Sequence, residues 1–270
     1  MSATGARILF ALALAFSCAA AHASPADSGQ TAVGLRAEPT AIPLVDAGSG
    51  RVDISAEVSL TLREVGAPIS LAPDLYMGFA HGLTVGLYHS TRAAGLLDSG
   101  SGLCLRSQDD GCVDRFSGTG LDLLRPLWAG RGARLVARVR TDVTRWKEPT
   151  KVRWAPGLVA SIRGRRFSAL ADPHVAFGVT NLDRGNPIRL HIPIWLGVRL
   201  GPADLALRTG LDGPIQGFSD SWAVPMGLAL GTQIGARWRV EIFAVLPKIG
   251  GPLNSERPRD ISLRASVLAW

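Results

Sequence analysis

Residues 188–200 read IRLHIPIWLGVRL. Ile188, Leu190, Ile192, Ile194, Leu196, Val198 and Leu200 form one uninterrupted apolar row, and Arg189, His191, Pro193, Trp195, Gly197 and Arg199 form the alternate row. Successive side chains of an extended chain point to opposite faces, so the first row becomes one oily face about 40 Å long. A helix would scatter the same residues around its circumference. The stretch is long for a strand of a water-soluble sheet but suits a tilted bilayer crossing, which needs about 9–11 residues. It predicts a lipid-facing wall with a polar, arginine-bearing back.

The same alternation recurs from Arg51 onward. Val52, Ile54, Ala56, Val58, Leu60 and Leu62 alternate with Asp53, Ser55, Glu57, Ser59, Thr61 and Arg63. Further strands are predicted near 69–79, 83–90, 118–128, 133–145, 151–163, 166–179, 187–200, 203–212, 221–232, 236–246 and 259–270. Links near 80–82, 129–132, 164–165, 201–202 and 234–236 are short, whereas 91–117, 180–186, 213–220 and 247–258 are longer. An even-stranded closed sheet with both termini at one end places all short turns there and all long loops at the other. The expectation is an all-β chain: a closed antiparallel transmembrane β-barrel of about twelve strands over residues 50–270.

The N-terminus reads as a targeting segment. Arg7 precedes a short apolar run that ends in Ala21-His22-Ala23, an A-x-A cleavage signal. Residues 1–23 are expected to be a secretory signal, with a lipidated Cys18 as the alternative, and 24–49 a flexible periplasmic lead-in. Cys104 and Cys112 remain after cleavage; in an oxidising compartment a disulfide closing a short loop is the default, and no neighbouring ligand completes a metal site. Nothing beyond residue 23 offers about 18 consecutive apolar residues, so any membrane crossing falls to strands. The net charge of +7 comes from arginine, with only three lysines (Lys147, Lys151 and Lys248), and no basic stripe with interleaved aromatics points to nucleic acid.

Alternation alone does not say which face is outside. A soluble ligand-binding barrel puts its apolar row inward and a membrane barrel reverses this. Twelve strands enclose a lumen too wide to fill easily with oil, and the apolar rows run without a charge, as in Trp222, Val224, Met226, Leu228 and Leu230. Tryptophans add two girdles: Trp128, Trp238 and Trp270 near the short-turn ends, Trp146, Trp154 and Trp222 near the long-loop ends. Pro156, Pro173, Pro193 and Pro225 fall inside predicted strands, and each is expected to bring a bulge or a broken ladder. In the last strand the apolar row Ile261, Leu263, Ala265, Val267 and Ala269 leaves Trp270 on the wrong parity, which a bulge near the end would repair.

With its signal segment, even strand number, girdles and C-terminal Trp270, the chain resembles the porin-like outer-membrane β-barrels of Gram-negative bacteria. The stretches Ala72-Pro73-Asp74-Leu75 and Gly82-Leu83-Thr84-Val85-Gly86-Leu87 also look like a hairpin of uncharacterised members of that class. The resemblance implies an outer-membrane location in contact with lipid and recognition of the final strand by the barrel-insertion machinery. Arg264 and Ser266 depart from the apolar residues expected in that final strand.

If the oily rows face lipid, the other parity lines the lumen. It carries Arg134, Arg138, Arg140, Arg189, Arg199, Arg208 and Arg239 as candidate anion contacts, with Arg63, Arg153 and Arg163 alongside, and Asp53, Glu57, Asp122, Asp142 and Asp172 as acids, joined by Asp74, Asp204 and Glu241. Charged rings favour solutes of opposite sign; paired among themselves, the same groups would instead fill and block the barrel. Arg134, Arg138 and Arg140 are the sharpest anion candidates, with pairing to Asp122 and Asp142 as the plainer reading. His89 and Ser90 are adjacent in an extended segment and point apart, so they make no nucleophile–base pair. Asp172 and His174 share a face without a serine motif. No catalytic residue, cofactor or metal is expected. The leading expectation is a passive channel for small, preferably anionic solutes. A sealed barrel acting through loop 91–117 and an exported soluble barrel binding an apolar ligand are the alternatives.

Overall fold

A computed structural model of the chain describes residues 42–59, 69–90, 102–105, 116–145, 149–235, 237–252 and 260–269. Twelve strands make the wall. They are β1 (Gly50–Ser59), β2 (Ile69–Gly78), β3 (Thr84–Tyr88), β4 (Thr119–Gly130), β5 (Ala133–Arg145), β6 (Lys151–Arg163), β7 (Phe167–Ala171 continuing as His174–Gly178), β8 (Arg189–Leu200), β9 (Ala203–Pro214), β10 (Val224–Ile234), β11 (Trp238–Gly250) and β12 (Asp260–Ala269). Each pairs antiparallel with its sequence neighbours. β1 also pairs with β12 from Gly50↔Ala269 to Ser59↔Asp260, which closes the sheet. A pair of short strands, Gly102–Cys104 and Phe116–Ser117, extends β2 at Ser70 and Leu71, where β3 is too short to reach.

Burial follows the period of two in the sense of a membrane barrel. On β8, His191, Pro193, Trp195 and Gly197 are buried while Leu196 and Leu200 are exposed. On β10, Met226, Leu228 and Leu230 are exposed and Gly227 and Ala229 are buried. A water-soluble barrel would show the reverse, so the wall of 188–200 turns its oil outward. Twelve residues of β8, tilted by about 45°, span the ~25–30 Å hydrocarbon layer. Among the described residues no helix is long and apolar enough to cross a membrane.

All short turns lie at one end: Ala80–Gly82 after β2, then 131–132, 164–166, 201–202 and 235–237. Gly50 and Ala269 lie there too, so the start of β1 and the end of β12 share the short-turn end. The opposite end carries the longer connections.

The in-strand prolines resolve in different ways. Pro225 falls where the β10–β11 register shifts, between Val224 and Met226. Pro173 divides β7 into its two halves. Pro156 and Pro193, by contrast, sit in unbroken registers with β5 and β9, opposite Val139 and Gly210. The expected bulge is absent there because the missing donors face β7. Leu158 donates to the Pro173 carbonyl (3.1 Å) and Asp172 to the Pro193 carbonyl (3.0 Å), so the strand sides that prolines 156 and 193 leave without an N–H meet the break in β7. Three prolines share one seam. The bulge proposed near the end of the last strand is also absent over Asp260–Ala269, whose pairing to β1 and β11 runs without interruption. Trp270 and Trp146 lie outside the described residues, as do Cys112, residues 1–41 and Arg63.

Candidate functional site: the charged lumen

Strand register decides which lumen charges meet. β4 and β5 set Asp122 opposite Arg140 and one row from Arg138, whose partner position is Leu124. Arg138 takes both carboxylate oxygens of Asp122 with Nε (2.9 and 3.1 Å) and Nη2, and reaches Asp172 of the β7 break with Nη1 at 2.7 Å. Arg140 reaches the same Asp172 (3.2 Å) and donates to His174 Nδ1 at 2.8 Å. His174 lies opposite His191 in the ladder, and their rings stack at 4.8 Å and 13°. His191 and Arg189 both contact Asp212 of β9. A chain of charges thus runs from β4 through β5, β7 and β8 to β9.

A second chain crosses the closing strands. Arg51 donates to Asp53 at 2.9 Å, and Arg264 of β12 contacts the other oxygen of Asp53. Arg239 bridges Asp204 (3.0 Å) and Glu241 (3.3 Å), with Arg199 3.7 Å from Asp204. Asp74, directly opposite Asp53, is capped by the amides of His89 (2.7 Å) and Ser90 (2.9 Å) and by the Ser90 hydroxyl. The His89 ring turns to the Pro73 carbonyl, and the Ser90 hydroxyl donates to Asp74.

Arg208 stands apart. It lies opposite Trp195 in the β8–β9 ladder, with its guanidinium carbon 5.3 Å from the Trp195 ring centre and 5.8 Å from that of Phe243. Its Nε has no hydrogen-bond partner among the described residues, and no ion pair within 4 Å is formed by Arg208 there. Cation–π contact stabilises such a group by about 2 kcal/mol when desolvated, less than a matched carboxylate would.

At mid-height the lumen is filled. Tyr76, Tyr88, Leu124, Val136, Val159, Asp122 and Arg140 are all 1% exposed or less, although each points inward. Tyr76 lies across Gly86 of the neighbouring strand, where any Cβ would strike its ring. Trp195 and Phe243 pack against one another at 5.4 Å.

The short-turn mouth holds a further element. Residues 42–49 run along the inner wall: Val45 is buried, its amide donates to the Thr84 hydroxyl (3.1 Å), and the hydroxyl returns a bond to its carbonyl (3.4 Å). Ala47 bridges Gly78 in parallel, and Ile42 and Leu44 pack on the interior cluster. Gly78 is glycine because the strap carbonyls of Val45 and Asp46 occupy the space its Cβ would take. Gly78→Ala should therefore unseat the strap: amide exchange at residues 45–49 should rise at least tenfold while the β8–β9 amides stay protected. Unchanged protection at Val45 would refute the assignment.

Of the predicted lumen residues, Arg138, Arg140, Arg208, Arg239, Asp53, Glu57, Asp122, Asp142 and Asp172 are buried inside, and Arg134 and Arg189 are half-buried. Arg199 is exposed at the short-turn end. Arg138 pairs with Asp122 and also with Asp172, which shares the inward parity of Leu170 and His174. Asp142 lies instead in the field of Arg153 and Arg140. Sequence reasoning missed Arg51, Tyr76, Tyr88, Asp212 and the strap; Asp212 ends the predicted strand 203–212 on the lumen parity of Asp204 and Arg208, so the same parity would have found it. Trp128 and Trp238 are exposed at the short-turn end, and Trp154 sits against Phe177 (5.8 Å) and Trp222 half-buried at the other. Cys104 ends a short strand opposite Ser70.

No protein-family model and no curated protein matches the chain. Solved structures do. The NanC porin is similar at a TM-score of 0.57 and 8% identity, covering 81% of this chain and 98% of that one. The KdgM porin, solved in complex with disordered oligogalacturonate, is similar at 0.53 and 8% identity over 80% and 98%. An outer membrane channel from Pseudomonas putida F1 is similar at 0.51 and 14% identity over 86% and 99%. Such low identities speak to the fold alone: the chain is a closed twelve-stranded antiparallel β-barrel, similar in fold to these porins and channels.

Proposed function

We propose that the chain is a passive outer-membrane channel for small solutes, favouring anions, with a narrow lumen walled by paired charges. The observation that carries the reading is Arg208: a guanidinium inside the barrel, held by two aromatic rings, whose Nε has no partner among the described residues. Positive charge of this kind at a constriction favours anions. The oligogalacturonate complex of the structurally similar KdgM porin is a polyanion complex, which agrees with the direction. The proposal includes removal of residues 1–23 as a secretory signal, recognition of the last strand by the insertion machinery, a Cys104–Cys112 disulfide and no catalytic role.

The filled mid-height section favours a second reading, a sealed barrel acting through loop 91–117. Planar-bilayer recording separates them. The channel reading expects discrete current steps of small amplitude and a reversal potential displaced toward the anion. Arg208→Gln should move that potential toward zero selectivity by severalfold in permeability ratio. A folded barrel that inserts and passes no current would establish the sealed reading instead.

A further inference from the structure

The charge of the two barrel ends is unequal. The short turns carry Arg131, Arg165, Arg166 and Arg237 and no acid, and Arg163 and Arg199 stand beside them. These six arginines are all exposed. Five form one arc. Arg163 donates its amide to Gly132, the residue after Arg131, at 2.5 Å, and Arg199 donates its amide to the Arg166 carbonyl at 2.8 Å. Backbone bonds therefore hold the β4–β5 turn, the β6–β7 turn and the end of β8 side by side.

Directly on the lipid side of this arc lies exposed oil: Trp128 at 55%, Ile162 at 65% and Phe167 at 70%. Arg125 stands among them. It shares the parity of Leu121 and Leu123, so it is on the lipid face, opposite the buried Ala137. An arginine on the oily wall extends its stem along the apolar surface and brings its guanidinium to the membrane boundary. Arg125 thereby joins the arc from below.

We infer that this arc is a binding surface for the phosphodiester groups of anionic phospholipids in the leaflet at the short-turn end. Guanidiniums grip phosphate oxygens in bidentate fashion, and the acyl chains of the same lipid would lie on Trp128, Ile162 and Phe167. A free anion would gain the first contact and none of the second. The inference rests on the membrane reading of the barrel, and is independent of whether the lumen conducts.

The test uses the full chain reconstituted in vesicles of phosphatidylcholine with one fifth phosphatidylglycerol, extracted in detergent, with retained lipid identified by mass spectrometry. Wild type should retain phosphatidylglycerol in excess over its bulk share. The variant Arg125→Gln, Arg131→Gln, Arg165→Gln, Arg166→Gln should lose most of that excess, each arginine contributing on the order of fivefold near a charged surface. Arg184→Gln, at the opposite end, serves as the control and should leave retention unchanged. Equal retention by wild type and the quadruple variant overturns the inference, as does enrichment that inorganic phosphate displaces as readily as lipid does. A chain that carbonate washes from the vesicles overturns the membrane reading itself, and this inference with it.

Discussion

Replacing Arg138 with alanine should destabilise the folded barrel by about 3–5 kcal/mol, the range for removing one partner of a buried ion pair. Arg138 serves two acids at once, with Asp122 wholly buried and Asp172 nearly so. Without the guanidinium, two buried carboxylates lose their shared partner, and Arg140 at 3.2 Å and His174 at 3.9 Å remain close to Asp172. Urea titration in lipid vesicles, followed by the mobility difference between folded and unfolded barrel on gels, reads the loss. Adding Asp122→Asn to the same chain should recover part of it, because one uncompensated charge is removed. A midpoint for Arg138→Ala within experimental scatter of wild type would show that the interior is wet enough to solvate the acids.

The direction of the oily face sets the second large effect. Leu196 is half exposed near the middle of β8, and Leu200 lies at its short-turn end. Arginine on the lipid face is unfavourable by about 2–4 kcal/mol at the bilayer midplane and about 0–1 near its boundary. Leu196→Arg should therefore be strongly destabilising and Leu200→Arg nearly neutral, measured by the same titration. If this outward face met water and not lipid, both substitutions would be benign. Two equal, small effects would sink the membrane reading.

How much of this was legible in the residues follows from the period of two. Parity alone separates His191 from Ile192 and Asp122 from Leu123, so the wall, the lumen face and the strand number are written locally. Loop asymmetry supplies the ends. What parity leaves out is which lumen charges touch, because that depends on register between strands far apart in sequence. Asp172 lies on the lumen parity with Leu170 and His174, but that it meets Arg138 of β5 follows from the register of strands far apart in sequence. Pro193 brings no bulge, because the partner strand it faces is broken at the matching height by Pro173, twenty residues earlier. The strap was hidden for a different reason. Residues 42–49 carry no alternation, and only Gly78, two strands' pairing away, records the space they take.

The contact of Arg264 with Asp53 has a consequence for assembly. These groups belong to the last and first strands of the wall, 211 residues apart in sequence. Until β12 meets β1, neither has the other, and Arg264 is left with Glu241 opposite it across β11. In an unclosed sheet Asp53 keeps Arg51 and Arg264 keeps Glu241 beside it, and joining the final seam adds the ion pair between the first and last strands. Completion of the ring is thus the step that ties the first strand to the last through their side chains as well as their backbones.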